Sequence, residues 1–186
     1  FTVNALAYNE NVGIIDKFGG LSDLENKVLR AVGDPYKRFK EDALRILRLF
    51  RFSAQLGFTI EEETLKAALS SAELLQNISR ERIAVELFKT LLSDRPQNIN
   101  PLLSIGSLTF CGLSSSNISS NIANLEKDRN LRFFAFIKET KSDFNTVCEC
   151  LKTDKKLLKF CAEAFEIEKC PPFDIVSCKK ALSRYR

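Results

Sequence analysis

Glu41, Asp42, Arg45, Arg48 and Arg51 are the residues of this sequence best suited to do chemistry, because carboxylates and guanidinium groups gather there in one short stretch. On an α-helix a step of three residues turns by about 300°, so Asp42, Arg45, Arg48 and Arg51 advance round the axis by roughly −60° each. That spacing predicts Asp42 and Arg45 as neighbours on one face, with Arg48 and Arg51 following round and further along. A carboxylate beside a guanidinium sets an acceptor next to a fork of donors. Such a pair can read the edge of a nucleobase: the carboxylate accepts from an exocyclic amine and the arginine donates to ring acceptors. Cytosine and adenine both offer an amine beside an acceptor, whereas guanine and uracil turn a carbonyl oxygen toward the carboxylate. Arg48 and Arg51 are then left to clamp phosphate through charge-assisted bonds.

A plainer alternative is a solvated helix laced by ion pairs such as Glu41 with Arg45, each worth little. Against it stands the local charge. Six basic and two acidic residues lie between Tyr36 and Phe52, a net charge of +4, which equals that of the whole chain with its 28 basic and 24 acidic residues. Outside this stretch the protein is neutral on balance.

The elements that must hold these residues follow from the flanking pattern. Residues 35–56 form a run without internal Gly or Pro, opened by Pro35 and closed by Gly57, which predicts one helix. Ala43, Leu47, Phe50 and Ala54, flanked by Ile46 and Leu49, give it an apolar stripe. Upstream, residues 1–8 read as a strand, 9–11 as a turn and 12–16 as a returning strand. Gly19-Gly20 breaks the pattern. Ser22 is the expected N-cap of a short helix over 23–26, with Glu25 as its capping-box partner, and 28–32 is a further strand. Downstream the pattern is helical: from Thr59 or Ile60 to about 75, then 80–92 capped by Ser79, then 131–141, 143–151, 155–165 and 174–185. The connector 94–101, the apolar run 102–110 and the serine-rich break 114–121 lie between them. The expected fold is mainly α, α+β as a whole, with a β-containing stub ahead of a helical body.

Composition removes several functions. The chain has 186 residues, 45% hydrophobic and 28% charged, an ordinary globular composition. No apolar run approaches the about 18 residues of a membrane helix, and no signal peptide opens the chain. A start at Phe1 within a β-like pattern suggests a fragment. The six cysteines, Cys111, Cys148, Cys150, Cys161, Cys170 and Cys178, form no Cys-x-x-Cys and read as buried free thiols of a cytosolic protein. With no histidine, Ser-His and Cys-His catalysis is excluded. Any chemistry runs on carboxylates, arginines or metal.

Four segments in order resemble the class II nucleotidyltransferases, the family of tRNA CCA-adding enzymes and bacterial poly(A) polymerases. Phe1-Thr2-Val3-Asn4-Ala5-Leu6-Ala7 is similar to the end of the family's Arg-Arg-Asp-Phe-Thr-x-Asn-Ala motif. Asp16-Lys17-Phe18-Gly19-Gly20 is similar to the hinge between head and neck, and Glu41-Asp42-Ala43-Leu44-Arg45 with Arg48 to the base-selecting motif. Ile78-Ser79-Arg80-Glu81-Arg82-Ile83 resembles a helix-supporting motif. The resemblance implies the tail of a nucleotidyltransferase head with its hinge over 1–34, a nucleotide-selecting helical neck over 35–98, and a helical body over 99–186 that grips RNA. It implies that Asp42 and Arg45 pair with the base of incoming CTP or ATP, that Glu41 steadies Arg45, and that Arg48 and Arg51 hold the nucleotide. Asn4 is implied as a supporting residue, and Asp16, Gly19 and Gly20 as a flexible hinge, for which a tight turn is the plain alternative. Arg80, Glu81 and Arg82 are expected to buttress the neck.

The same resemblance implies a cytoplasmic enzyme that completes the 3′ end of tRNA with CTP, ATP and Mg2+. The metal-binding Asp-x-Asp pair of the family is not in this sequence, although Gly106-Ser107 occurs, so no catalytic residue and no metal ligand is expected here and the piece is expected to be inactive alone. A poly(A) polymerase of the same family, an enzyme of that family adding only CC or only A, and a non-catalytic helical RNA-binding module are the rival readings. Lys152, Lys155, Lys156 and Lys159 could touch RNA, or be a solvated lysine face.

Overall fold

The structure is a computed structural model and describes residues 1–168; the expected helix over 174–185, with Cys170 and Cys178, lies outside the described residues. A 3-10 turn at Thr2–Asn4 replaces the first part of the expected strand. It is followed by a hairpin of β1 (Ala7–Asn9) and β2 (Gly13–Ile15), paired antiparallel with Ala7 opposite Ile15. Helix α1 (Gly20–Glu25) starts earlier than expected, and Ser22 is not its cap. The cap is the Asp16 carboxylate, which accepts from the backbone N–H groups of Gly20 at 2.8 Å, Leu21 at 2.9 Å and Phe18 at 3.2 Å.

Strand β3 is short, Val28–Leu29, and pairs in parallel with β4 (Thr59–Ile60). Residues 59 and 60 therefore belong to a strand, where a helix start was expected. Both are β-branched, and the ladder uses Thr59 N–H to Lys27 O at 2.9 Å and Glu61 N–H to Leu29 O at 3.0 Å. Helix α4 (Glu62–Ser70) begins after it, capped by the Glu61 carboxylate on Thr64 N–H at 2.7 Å.

The predicted single helix over 35–56 is two helices, α2 (Pro35–Glu41) and α3 (Leu44–Leu56). Asp34 caps α2, accepting from Tyr36 N–H at 2.9 Å and Lys37 N–H at 3.3 Å, with Pro35 in the first turn. The break falls at Asp42, whose backbone is extended at φ −152°, ψ 99°. Its carboxylate accepts from Leu44 N–H at 3.2 Å, the local side-chain bond by which Asp competes with a continuing helix. Gly57, at φ +70°, ends α3 in the left-handed conformation that glycine adopts without penalty.

The expected stripe of α3 is buried throughout: Ala43, Ile46, Leu47, Leu49, Phe50 and Ala54. It packs against α5 (Arg80–Leu91), which contributes Ile83, Leu87 and Leu91, and against the turn Pro96–Ile99. Short helix α6 (Asn100–Ser104) leads by irregular chain to α7 (Arg129–Thr140), α8 (Phe144–Cys150) and α9 (Lys155–Glu168). One apolar cluster runs from Leu29 to Cys161 through all of these helices. The fold is mainly α with two small sheets, as expected.

Arg132 ties α7 to the rest. It is 1% exposed, and its five N–H donors meet five backbone carbonyls: Glu126 O at 3.1 Å, Leu91 O at 2.9 Å, Ser93 O at 2.7 Å, Ala123 O at 2.9 Å and Leu125 O at 2.8 Å. The carbonyl of Leu91 belongs to the C-terminal end of α5, where the helix dipole favours a cation. Cys111, Cys148 and Cys161 are buried free thiols and Cys150 is half-buried; burial pushes the Cys111 thiol up to about 11.

Candidate functional site

Where the 3-10 turn meets α2 and α3, a cleft of about 440 Å³ opens. Phe1, Asn4 and Ala5 form one wall, Arg38, Arg45, Arg48 and Phe52 the other, with Phe18 from the β2–α1 connection at its edge. The cleft is thus basic on one side and aromatic at both ends. Arg45 is held from two directions, donating to the Glu41 carboxylate at 2.7 Å and to the Arg38 carbonyl at 2.9 Å. Arg38 also donates to Glu41, at 3.0 Å, and to the Val32 carbonyl at 3.2 Å. These two guanidinium groups hold the Glu41 carboxyl below the usual carboxylate range. Glu41 is thus shared between the Arg45 and Arg38 guanidinium groups. Arg48 is exposed and makes no hydrogen bond or ion pair among the described residues, which leaves its donors available to a ligand.

Asp42 looks elsewhere. Because the chain breaks there, its carboxylate caps Leu44 N–H and sits 3.6 Å from Arg82. It lines a second cleft, of about 410 Å³, with Lys40, Asn77, Ile78 and Arg82. The expected adjacency of Asp42 and Arg45 on one helix face is not formed. Arg51 is also away from the cleft. It is 7% exposed and makes an ion pair at 2.9 Å with Glu86 of α5, itself 6% exposed, while its guanidinium lies over the Phe52 ring at 4.3 Å. It fastens α3 to α5 and does not face the solvent where a phosphate would arrive.

Gly19 and Gly20, expected as part of a hinge, follow Phe18 of the cleft edge directly in the chain. Gly19 has φ +72°. Gly20 packs so closely on the Thr2 carbonyl that a Cβ there would lie 2.4 Å from the oxygen. The Thr2 hydroxyl in turn donates to Asp23 of α1 at 2.7 Å, and Thr2 N–H bonds Arg30 O at 3.0 Å. The first five residues, α1 and β3 are therefore one unit. In the supporting segment, Glu81 pairs with Lys152 at 2.8 Å and Arg80 lies over the Phe110 ring at 4.2 Å, so these residues do buttress α5 against later helices. Lys155 and Lys156 remain exposed and Lys159 pairs with Glu163 at 3.6 Å.

Sequence reasoning did not single out Arg38, Phe1, Phe18 or Phe52 as cleft residues. Arg38 was within sight, as part of the same charge cluster. The aromatics carry no local signal, because their grouping depends on how the 3-10 turn packs on α3.

The geometry has counterparts among known proteins. Residues 1–30 match the model of the poly(A) polymerase head domain, and residues 57–104 match that of a probable RNA- and SrmB-binding site of polymerase A. Both models describe parts of poly(A) polymerases. The CCA-adding enzyme of Levilactobacillus brevis is 52% identical over 112 residues, 60% of this chain and 28% of that protein. The CCA-adding enzyme of Streptococcus thermophilus is 59% identical over 93 residues, 50% of this chain and 23% of that protein. The solved Bacillus stearothermophilus CCA-adding enzyme in complex with CTP superposes with a TM-score of 0.77 at 27% identity, over 92% of this chain and 46% of that one. Over these residues the chain is similar to CCA-adding enzymes and to poly(A) polymerases. It spans less than a third of the curated relatives and about half of the solved one.

Proposed function

We propose that this chain is the nucleotide-selecting part of a tRNA nucleotidyltransferase that adds CCA to tRNA 3′ ends from CTP and ATP. The observation that carries the reading is the cleft in which Arg45 is fixed by Glu41 while Arg48 stands unpaired beside it. In this reading Arg48 meets the phosphates and Arg45 donates to the base, against a wall made by Phe1 and Asn4. Asp42 joins Arg45 when nucleotide binds, by turning across the α2–α3 break; the extended backbone at φ −152° is the point at which it turns. Arg51 acts only by placing α3. The three-part division at residues 34 and 98 is part of the same proposal, with the body gripping tRNA by shape and backbone.

Among the described residues no three His, Cys, Asp or Glu side chains lie together as a metal site. The carboxylates nearest the cleft, Asp16 and Glu41, are already engaged by backbone N–H groups and by arginines. These residues do not suit Mg2+. No helix among the described residues is long and apolar enough to cross a membrane, and cytoplasmic residence is proposed from the tRNA substrate.

The test is equilibrium binding of CTP, ATP, GTP and UTP to the chain. CTP and ATP should bind more tightly than GTP and UTP, and equal binding of all four would sink the base-reading role. The match to the poly(A) polymerase head supports a second reading. Extension of tRNA lacking its terminus, by the protein joined to its catalytic head, separates the two: CCA addition stops after three residues, whereas poly(A) synthesis runs on. A non-catalytic RNA module would show salt-sensitive RNA binding and no nucleotide preference.

A further inference from the structure

Among the described residues Phe18 is the one exposed phenylalanine, with 50% of its surface open, and it stands at the edge of the basic cleft. The other rings of that cleft are occupied. Phe39 is buried, Phe1 meets Phe52 edge to face at 6.0 Å between centroids, and the Arg51 guanidinium covers Phe52. Phe18 enters no ring–ring or cation–π contact among the described residues. A single exposed apolar side chain is ordinary on a protein surface. Tyr8, Val12, Ile14, Leu21 and Leu24 are also exposed in this part of the chain, yet none of them lines the cleft.

The root of the Phe18 side chain is held. Its backbone N–H donates to the Asp16 carboxylate at 3.2 Å, and the same carboxylate caps α1 through Gly20 N–H and Leu21 N–H at 2.8 and 2.9 Å. We propose that Phe18 is a stacking platform for the nucleobase, covering the face of the base while Arg45 meets its edge; this rests on the nucleotide reading of the cleft given above. Hydrogen bonds to a base edge lie in the plane of the base and leave both faces bare. An aromatic ring takes one face out of water and competes for no donor or acceptor. Every base has a π-face, so the contact adds affinity for all four nucleotides and selects none. Charge from Arg48, edge from Arg45 and face from Phe18 are then three separable contributions.

The test compares nucleotides with inorganic triphosphate, which has no base. Phe18→Ala should weaken CTP, ATP, GTP and UTP alike, by about tenfold, and leave inorganic triphosphate unchanged. Arg48→Ala should weaken inorganic triphosphate as well. Phe18→Trp places a tryptophan in a chain that has none, and its emission should be quenched saturably by CTP and not by inorganic triphosphate. Unchanged CTP affinity in Phe18→Ala, an equal loss for inorganic triphosphate, or tryptophan emission that ignores bound CTP would overturn the proposal. The two readings fail separately. Equal binding of all four nucleotides, each weakened by Phe18→Ala, would end base reading and keep the stack. A preference for CTP and ATP with affinity untouched by Phe18→Ala would end the stack and keep base reading.

Discussion

Asp42 and Arg45, only three residues apart, face different clefts: Arg45 is turned toward Glu41 and the Phe1–Ala5 wall, Asp42 toward Arg82. The two are still linked through the backbone, Arg45 N–H donating to Asp42 O at 3.0 Å. A rotation confined to Asp42 can therefore bring its carboxylate round without moving α3.

This separation can be tested with Asp42→Asn. The amide oxygen can keep the bond from Leu44 N–H, so stability should stay within about 0.5 kcal/mol. If Asp42 reads the base, the preference for CTP and ATP in competition binding should collapse, and an unchanged preference would confine Asp42 to capping.

Arg82→Ala addresses the opposing contact. Both partners are partly exposed, so the pair is worth at most about 1 kcal/mol. Releasing Asp42 should leave the urea midpoint almost unchanged and tighten CTP and ATP binding by up to about fivefold. Weaker binding would mean that Arg82 assists the nucleotide rather than competing for Asp42.

Arg48 and Arg51 should behave oppositely. Arg48→Ala removes an exposed, unpaired cation, so it should weaken triphosphate binding about tenfold with no change in the unfolding curve. Arg51→Ala strands a buried Glu86 and should cost about 3–5 kcal/mol of stability. Arg51→Met with Glu86→Leu should recover most of that loss.

Arg132→Lys keeps the charge but offers three donors to five carbonyls. Each unsatisfied carbonyl costs about 1–3 kcal/mol, so a loss of several kcal/mol is expected in urea denaturation. A near-neutral result would mean that α7 is not fastened through this side chain.

Asp16 gives a pH dependence. Backbone N–H bonds, from Leu21 first and then Gly20, hold its carboxyl below the ordinary aspartate value, and the slight desolvation opposing them is smaller. A depressed folded pKa means that the cap is at full strength above the unfolded value of about 3.9 and is lost as pH falls through the lower folded one. The amide resonances of Gly20 and Leu21 should shift in that acid window, and Asp16→Asn should remove the shift.

The sequence made the helical body legible because its apolar stripes sit at helical spacing, as in Leu47, Phe50 and Ala54. It concealed the break at Asp42, since no Gly or Pro marks it and only the side-chain bond to Leu44 N–H decides it. Arg51 was assigned to the nucleotide by type, yet the −60° steps that joined Arg45 to Asp42 carry Arg51 to the opposite side of the helix. Arg132 carries no signal in the sequence that sets it apart from the other arginines. Three of its five acceptors lie in the segment just before α7, but Leu91 and Ser93 are about forty residues away, and no local pattern announces them.

Gly20 seated on the Thr2 carbonyl has a mechanical meaning. Together with the Thr2–Asp23 bond, it fixes the Phe1–Ala5 wall of the cleft to α1. Any side chain at residue 20 would push the Thr2 carbonyl aside, so the absence of a Cβ there sets how near that wall stands to α1.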